Sequence, residues 1–468
     1  MSPSSSSTSP FSHSSDSWTF LLPRRPRYVI TLAIVALTGL FLWLHAGPLP
    51  HEHERERVDL EPFEFEVLQN PPPSPLVQVL PPTTITVTAP AVTETVTIQR
   101  SSRTLEPVVF SLIMWSESSA IEGALLIKSA IMYTTRPLEF HIICDEEAQN
   151  HLEKKFLLLE HPAQNILLRF YRVSRQSMTD RIQREGGIHT DHSAGVPGLM
   201  KLFIHEILPD SVRKSIYVDT DAFFITDPAL LWQTFDTLRP STAISMPTHY
   251  DQNSPEWHHA SKICSCVMLL DLSKLRSLRL MDSSIYRADP TSRYPSALSP
   301  PLFRSLFGPP GPEDHYEGVA LGDQGYFWAI VSQRPDIFEH LSFDWEVSSC
   351  LVDMYGTGLD RNNDGATDEE ESPRMLHLFE TPHQGGVVHP KLVHFNCLDG
   401  VDVYFDWPGW TDPENSLAKR WKSTLDYHLG TKWIWLNRGR GKLFVDTVHD
   451  PLFGDQRFAV EHNMPLDH

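Results

Sequence analysis

The sequence has no excess of positive charge. It carries 39 Lys and Arg against 59 Asp and Glu, a formal net charge of −20. Neutralising a phosphate backbone takes clustered Lys and Arg, so this balance argues against a nucleic-acid partner. No CxxC pair occurs among the five cysteines Cys144, Cys264, Cys266, Cys350 and Cys397, which argues against a structural zinc site of the paired-cysteine type. Their odd number leaves at least one thiol free or paired between chains. One or two internal disulfides can form, and sequence alone does not choose the partners. There is no Asn-x-Ser/Thr sequon with a non-proline middle residue, so N-glycosylation is not expected. No internal repeat is found. Asp, Glu, Lys and Arg are absent altogether from Tyr28 to Pro50.

That uncharged stretch is strongly apolar from Val29 to Leu44. Spanning a bilayer takes about 20 apolar residues, so 28–50 is expected to be a transmembrane signal-anchor. A cleaved signal peptide is the rival: Ala46-Gly47 offers a small-residue site, but Pro48 directly after it is unfavourable. Arg24, Arg25 and Arg27 precede the span, and Glu52, Glu54 and Glu56 follow it, mixed with Arg55 and Arg57. The positive-inside rule then predicts a cytosolic tail over 1–27 and a lumenal remainder, a single-pass type II arrangement. Residues 51–104 read as a disordered, extended stem, with Pro71-Pro72-Pro73, Pro81-Pro82 and a Thr- and Val-dense run from Thr83 to Thr97. Thr beside Pro suits O-glycosylation; a plain linker reads equally well.

Ordered structure is expected from about Leu105. The apolar run Val108–Met114 predicts a strand buried on both faces. Ser119 and Glu122 have capping-box spacing ahead of a helical stripe at Ile121, Ala124, Leu125 and Ile131. Phe140–Cys144 predicts a strand, Leu152, Phe156 and Leu157 a helix, and Ile166–Tyr171 another strand. Such alternation implies an α/β sheet with ligands at the strand C-terminal ends.

Gly198–Leu208 predicts a helix stopped by Pro209. The strand Ser215–Val218 follows and ends in Asp219-Thr220-Asp221. Carboxylates at the end of a buried strand are costly unless a cation balances them. Residues two apart on a strand point to one side, so both can face one hard metal ion. Mg²⁺ or Mn²⁺ bridging to a diphosphate would neutralise charge growing on the leaving group. Alone, Asp-x-Asp is a weak signal, common in acidic surface loops.

The surrounding motifs add context. They are Gly198-Leu199-Met200-Lys201-Leu202, Leu208-Pro209, Tyr217-Val218-Asp219-Thr220-Asp221, and Thr226-Asp227-Pro228 before Leu231-Trp232. Further on come Val267–Leu272, Gly322-Asp323-Gln324-Gly325, Phe343-Asp344-Trp345 and Val393-His394-Phe395-Asn396. In order and approximate spacing, over about 105–400, the chain resembles family-8 glycosyltransferases. It resembles in particular the xylosyltransferase half of LARGE-type enzymes, and covers one of their two catalytic halves.

The resemblance implies a GT-A type α/β fold over 105–445, followed by a C-terminal tail over 446–468. It implies that Asp219 and Asp221 hold a metal with His394 as third ligand. A neutral imidazole beside two carboxylates suits Mn²⁺, with Mg²⁺ the alternative. Asp323 and Gln324 match the sugar-contacting pair near the reacting carbon, and Lys201 matches a basic position facing the donor. Asp145, directly after a predicted strand, could approach the nucleotide. Blander readings stand beside these: a core histidine for His394, a helix N-cap for Asp323, a solvated helix face for Lys201 and a loop carboxylate for Asp145.

The implied function is metal-dependent, retaining transfer from a UDP-sugar to a glycan or glycoprotein acceptor, in the Golgi or endoplasmic reticulum membrane. Where relatives carry Asn-x-Gly, this chain has Cys264-Ser265-Cys266, and Cys397-Leu398-Asp399-Gly400 replaces a His-Gly-Lys-Pro type signature. Asp360-Arg361-Asn362-Asn363-Asp364-Gly365 with Glu371 also fits a calcium-loop pattern, or a solvated acidic insertion ahead of Pro373. The alternative function is therefore an inactive, membrane-anchored glycan- or calcium-binding protein.

Overall fold

A computed structural model describes residues 87–89, 92–94, 105–185, 188–190, 192–247, 263–281, 322–349, 389–396, 398 and 400–464. Within the Thr- and Val-dense run, strands β1 (Val87–Ala89) and β2 (Val92–Glu94) pair antiparallel, with Val87 opposite Glu94. That part of the expected stem thus holds a pair of short antiparallel strands. Branching at Cβ favours extended backbone, and two such runs separated by Pro90-Ala91 can pair.

The next elements alternate as the apolar runs predict. They are β3 (Val108–Met114), α1 (Glu117–Tyr133), β4 (Leu138–Cys144), α2 (Glu146–Phe156), β5 (Ile166–Arg172) and α3 (Arg175–Glu185). The start of α1 differs from expectation. Ser116 is its N-cap, and the Ser116 hydroxyl accepts from the Ser119 N–H at 3.1 Å. The helix therefore begins earlier, and Glu122 sits within it instead of closing a capping box.

The helix expected over 198–208 is broken into three pieces, helix Gly195–Leu199, a 3-10 turn Met200–Phe203 and helix Ile204–Ile207, buried from Gly198 onward. Then come β6 (Ser215–Val218), β7 (Ala222–Phe224), β8 (Ile244–Pro247), β9 (Val267–Leu270), α4 (Asp323–Gln333), β10 (Phe338–Leu341), β11 (Val347–Ser348) and β12 (Leu392–His394). The chain continues through α5 (Ser416–Gly430), β13 (Leu443–His449) and α6 (Gly454–Glu461).

The main sheet has eight strands in the order β10-β8-β9-β6-β3-β4-β5-β13. Strand β9 runs antiparallel to both neighbours, and the other pairs are parallel. Strand β3 has β4 on one side and β6 on the other, so chain order reverses there. Ligands of open α/β sheets bind outside strand C-termini at such a reversal. A second sheet, β11-β12-β7, has three strands. Its core is aromatic, with Phe223, Phe395, Tyr404, Trp410 and Trp421 buried together.

The boundary expected at 445 falls inside β13. That strand pairs with β5 from Leu443 opposite Ile166 to His449 opposite Arg172. Beyond it, Asp455 of α6 is fully buried and holds Arg184 at 2.6 Å. Residues 446–461 are therefore part of the folded unit. The polar residues of this edge strand conceal it in the sequence, since Asp446 is there to pair with Arg169 at 2.8 Å.

Among the described residues, no helix is long and apolar enough to cross a membrane. The expected tail 1–27, the expected span 28–50 and the calcium-loop residues 360–371 lie outside the described residues.

Candidate metal and donor site

Asp219-Thr220-Asp221 is the junction between the two sheets. Strand β6 of the large sheet ends at Val218, and β7 of the small sheet begins at Ala222. Both carboxylates are anchored through backbone. The Asp219 N–H donates to the Cys266 carbonyl at 2.8 Å, and the Phe395 N–H donates to the Asp221 carbonyl at 2.8 Å.

The register of the small sheet explains the distant histidine. His394 lies opposite Ala222, the residue after Asp221. Its Nε2 is 3.3 Å from Asp221 Oδ1, and its Nδ1 is 3.2 Å from Glu346 Oε1. Asp219, Asp221 and His394 each offer a ligand atom, all within 4.8 Å of one another. Two carboxylate oxygens and an imidazole nitrogen form a donor set that fits Mn²⁺. Burial works against charge on His394, but Asp221 and Glu346 outweigh it and raise the imidazole pKa to about 10. Burial would also push the Asp221 carboxyl up, yet His394 outweighs this and holds it below the ordinary carboxylate range.

Lys201 enters from the 3-10 turn. Its Nζ is 2.9 Å from Asp219 Oδ1 and 3.4 Å from Asp323 Oδ2. Burial disfavours the ammonium, but Asp219 and Asp323 outweigh it and keep Lys201 protonated. Tyr217 donates its hydroxyl to Asp219 Oδ1 at 2.6 Å. Asp323 is the first residue of α4, and Gly322, at φ 57, holds the cap position. Burial raises the Asp323 carboxyl, with Lys201 offsetting part of the rise. Gln324 Oε1 accepts from the Ser265 N–H at 3.4 Å.

Asp219, Asp221, His394, Lys201, Asp323 and Gln324 all line one cavity of about 700 Å³. Trp115 and Ser116 line it at the end of β3, and Asn396 and Asp402 at the opposite side of the junction. Asp145 does not line it. Its carboxylate accepts from the Ala148 N–H at 2.9 Å and caps α2.

Three features in and around this cavity have roles that the sequence alone does not show. Glu122 accepts from the Tyr404 N–H at 2.8 Å, and burial, with Asp221 adding, raises its carboxyl to about 8. Glu346 supports His394 from behind. Its only sequence signal is its place directly after Phe343-Asp344-Trp345. Cys264 and Cys266 are joined as a disulfide in the cavity wall. Their adjacency in an otherwise apolar run was the available signal.

No family model matches the chain. It is 26% identical over 258 residues to the xylosyl- and glucuronyltransferase LARGE2s of Gallus gallus, covering 53% of this chain and 31% of that protein. To LARGE1 of Homo sapiens it is 25% identical over 252 residues, covering 52% and 30%. The chain thus spans less than a third of the length of these curated relatives. Among solved structures, mouse xyloside xylosyltransferase 1 in its apo form is similar at TM-score 0.41 and 19% identity, covering 63% of this chain and 100% of that one. The galactosyltransferase LgtC, with donor and acceptor sugar analogues, is similar at TM-score 0.41 and 13% identity, covering 68% and 99%. Over about half its length, this chain is similar in sequence to the LARGE-type xylosyl- and glucuronyltransferases.

Proposed function

We propose that this chain is a GT-A type glycosyltransferase that moves a sugar from a UDP-sugar to a glycan or glycoprotein acceptor, with a divalent cation held by Asp219, Asp221 and His394. The observation that carries this reading is the convergence of that ligand set with Lys201, Asp323 and Gln324 on one cavity. The cavity also lies where the sheet reverses its strand order, as a nucleotide site should.

When bound, Mn²⁺ or Mg²⁺ would supply Lewis-acid stabilisation of the diphosphate leaving group. The chain's own residues do the rest. Trp115 offers an aromatic face to the base at the end of β3. Lys201, kept cationic, balances the carboxylates that would otherwise repel a diphosphate. Asp323 accepts hydrogen bonds from donor-sugar hydroxyls. Gln324 presents an amide oxygen toward positive charge at the anomeric carbon. An amide is a poor nucleophile, so front-face substitution with retention fits better than a covalent intermediate. The same proposal includes the type II anchor at 28–50 and a Golgi or endoplasmic reticulum membrane location.

Calorimetry with UDP tests the site directly. UDP should bind in the presence of Mn²⁺ and lose most of its affinity when Mn²⁺ is chelated. Equal UDP affinity with and without the metal would reject the metal-bridged diphosphate.

A further inference from the structure

The disulfide between Cys264 and Cys266 lies beside His394. One ligand atom from each of Cys264, Cys266, Glu346 and His394 lies within 4.8 Å of the others, and all four residues are buried. Both cysteines also line the cavity. His394 is therefore shared by two ligand sets of opposite character. Asp219 and Asp221 supply hard oxygens; Cys264 and Cys266 supply soft sulfurs.

We propose that the Cys264–Cys266 pair is a redox-controlled second metal site. Reduced, its two thiolates join His394 and Glu346 to bind a thiophilic divalent cation such as Zn²⁺. Tetrahedral coordination at bond lengths of about 2.0–2.3 Å places ligand atoms roughly 3.3–3.8 Å apart, so modest side-chain adjustment completes the set. The disulfide must open first, because only thiolates are effective ligands. Two equivalents of a small thiol reductant break the S–S bond. They leave as their own disulfide, and their two electrons and two protons make the two cysteine thiols. Cation binding then sends those two protons to solvent.

The two sets exclude each other through the imidazole. Neutral imidazole has one acceptor nitrogen, and its other nitrogen carries the proton. With Nε2 on a cation at Asp219 and Asp221, Nδ1–H donates to Glu346, 3.2 Å away. A cation at the thiolates needs that single acceptor nitrogen as well, so a neutral His394 serves one set at a time. Reduction plus Zn²⁺ thus draws His394 out of the first set. This exclusion rests on the metal reading proposed above; the thiolate site itself does not.

The test uses the full chain, untreated or reduced with a phosphine and desalted, and titrated with Co²⁺. One equivalent should give the near-ultraviolet thiolate-to-cobalt charge-transfer band in the reduced protein only, and Zn²⁺ should abolish it. Zn²⁺ should bind the reduced protein at least about 100-fold more tightly than the oxidised protein. No thiolate band in the reduced protein would overturn the proposal. So would an unchanged band in Cys264→Ser and in Cys266→Ser, which would assign it to other cysteines. Electron paramagnetic resonance of Mn²⁺ follows the first set in parallel. Zn²⁺ also competes directly for the Asp219–Asp221–His394 set, so the readout is the difference between redox states: Mn²⁺ release should need at least about 100-fold less Zn²⁺ in the reduced protein than in the oxidised one, whereas retention of both ions by the reduced protein would refute the exclusion. If the oxidised protein binds no Mn²⁺ while the cobalt band is present, the metal reading of the proposed function fails and the thiolate site stands.

Discussion

His394 Nε2 meets Asp221 Oδ1 at 3.3 Å, although the two residues are far apart in sequence. The contact follows from one register: β12 pairs with β7 so that His394 lies opposite Ala222. Without a cation, the flanking carboxylates hold His394 protonated, its pKa raised to about 10. A cation takes a neutral imidazole, so binding must expel that proton. Near pH 7.5, Mn²⁺ binding should release close to one proton. The observed binding enthalpy should then vary with the ionisation enthalpy of the buffer, and the affinity should rise with pH. A buffer-independent enthalpy would contradict proton release from His394 on metal binding.

Glu346 acts on the metal only through His394. Carboxylates behind a ligating histidine fix its tautomer, and their loss costs about 10–100-fold in metal affinity. Glu346→Gln should weaken Mn²⁺ binding by that amount, without changing the far-ultraviolet circular dichroism. Most of the loss should appear in the metal Kd, while turnover at saturating Mn²⁺ stays nearer to the parent value.

Gly322 sets the entry of α4. At φ 57 an L side chain is strained, and a Cβ there would meet Thr190 Oγ1 at 3.1 Å and His192 Cβ at 3.3 Å. Gly322→Ala should cost about 1 kcal/mol of stability and should displace Asp323 and Gln324. Activity on a UDP-sugar should fall at least about tenfold, well beyond what the stability loss explains, because positioning errors of about 1 Å can cost 100-fold. Activity and thermal denaturation measured on the same sample separate the two effects.

Arg181 is fully buried between Glu206 at 2.7 Å, Glu185 at 3.1 Å and Asp455 at 3.6 Å. Removing one partner of such a cluster leaves an uncompensated buried charge and costs about 3–5 kcal/mol. Arg181→Ala should lower stability by that amount in urea unfolding. Truncation after residue 445 should prevent stable folding, because it removes four of the seven residues of β13 and all of α6. A soluble, cooperatively folding 105–445 fragment would contradict the role assigned to the C-terminal segment.

Buried His205 donates Nε2–H to the Leu280 carbonyl at 3.0 Å. Burial, with Arg276 adding, lowers its pKa to about 3, against about 6.5 in an unfolded chain. Between those values the unfolded state binds the proton and the folded state does not. His205 therefore costs no stability above pH about 6.5, and stability falls as the pH drops toward 3. In His205→Gln this slope should be shallower in urea titrations between pH 7 and pH 4.

The sequence displays what depends on local pattern. Val108–Met114 and Ser215–Val218 read as strands because mostly apolar runs suit a sheet covered on both faces. Asp219 and Asp221 read as a pair because strand periodicity puts them on one side. What depends on register or pairing was hidden. Glu122 reaches the cavity because the cap of α1 is Ser116, not Ser119. Glu346 has meaning only once β11 lies beside β12. Asp145, plausible by position, satisfies a helix N-terminus instead. The 446–461 segment looked like a tail because its strand is stabilised by a charge pair at the sheet edge.

Turnover of a UDP-sugar panel, including UDP-xylose, UDP-glucose and UDP-galactose, tests the central claim most directly. The full chain with Mn²⁺ should hydrolyse at least one donor. Asp221→Asn should lose at least about 100-fold of that rate while remaining folded, as expected when a metal ligand is removed. No turnover of any donor by a folded chain that also fails to bind UDP, or undiminished turnover in Asp221→Asn, would contradict the account.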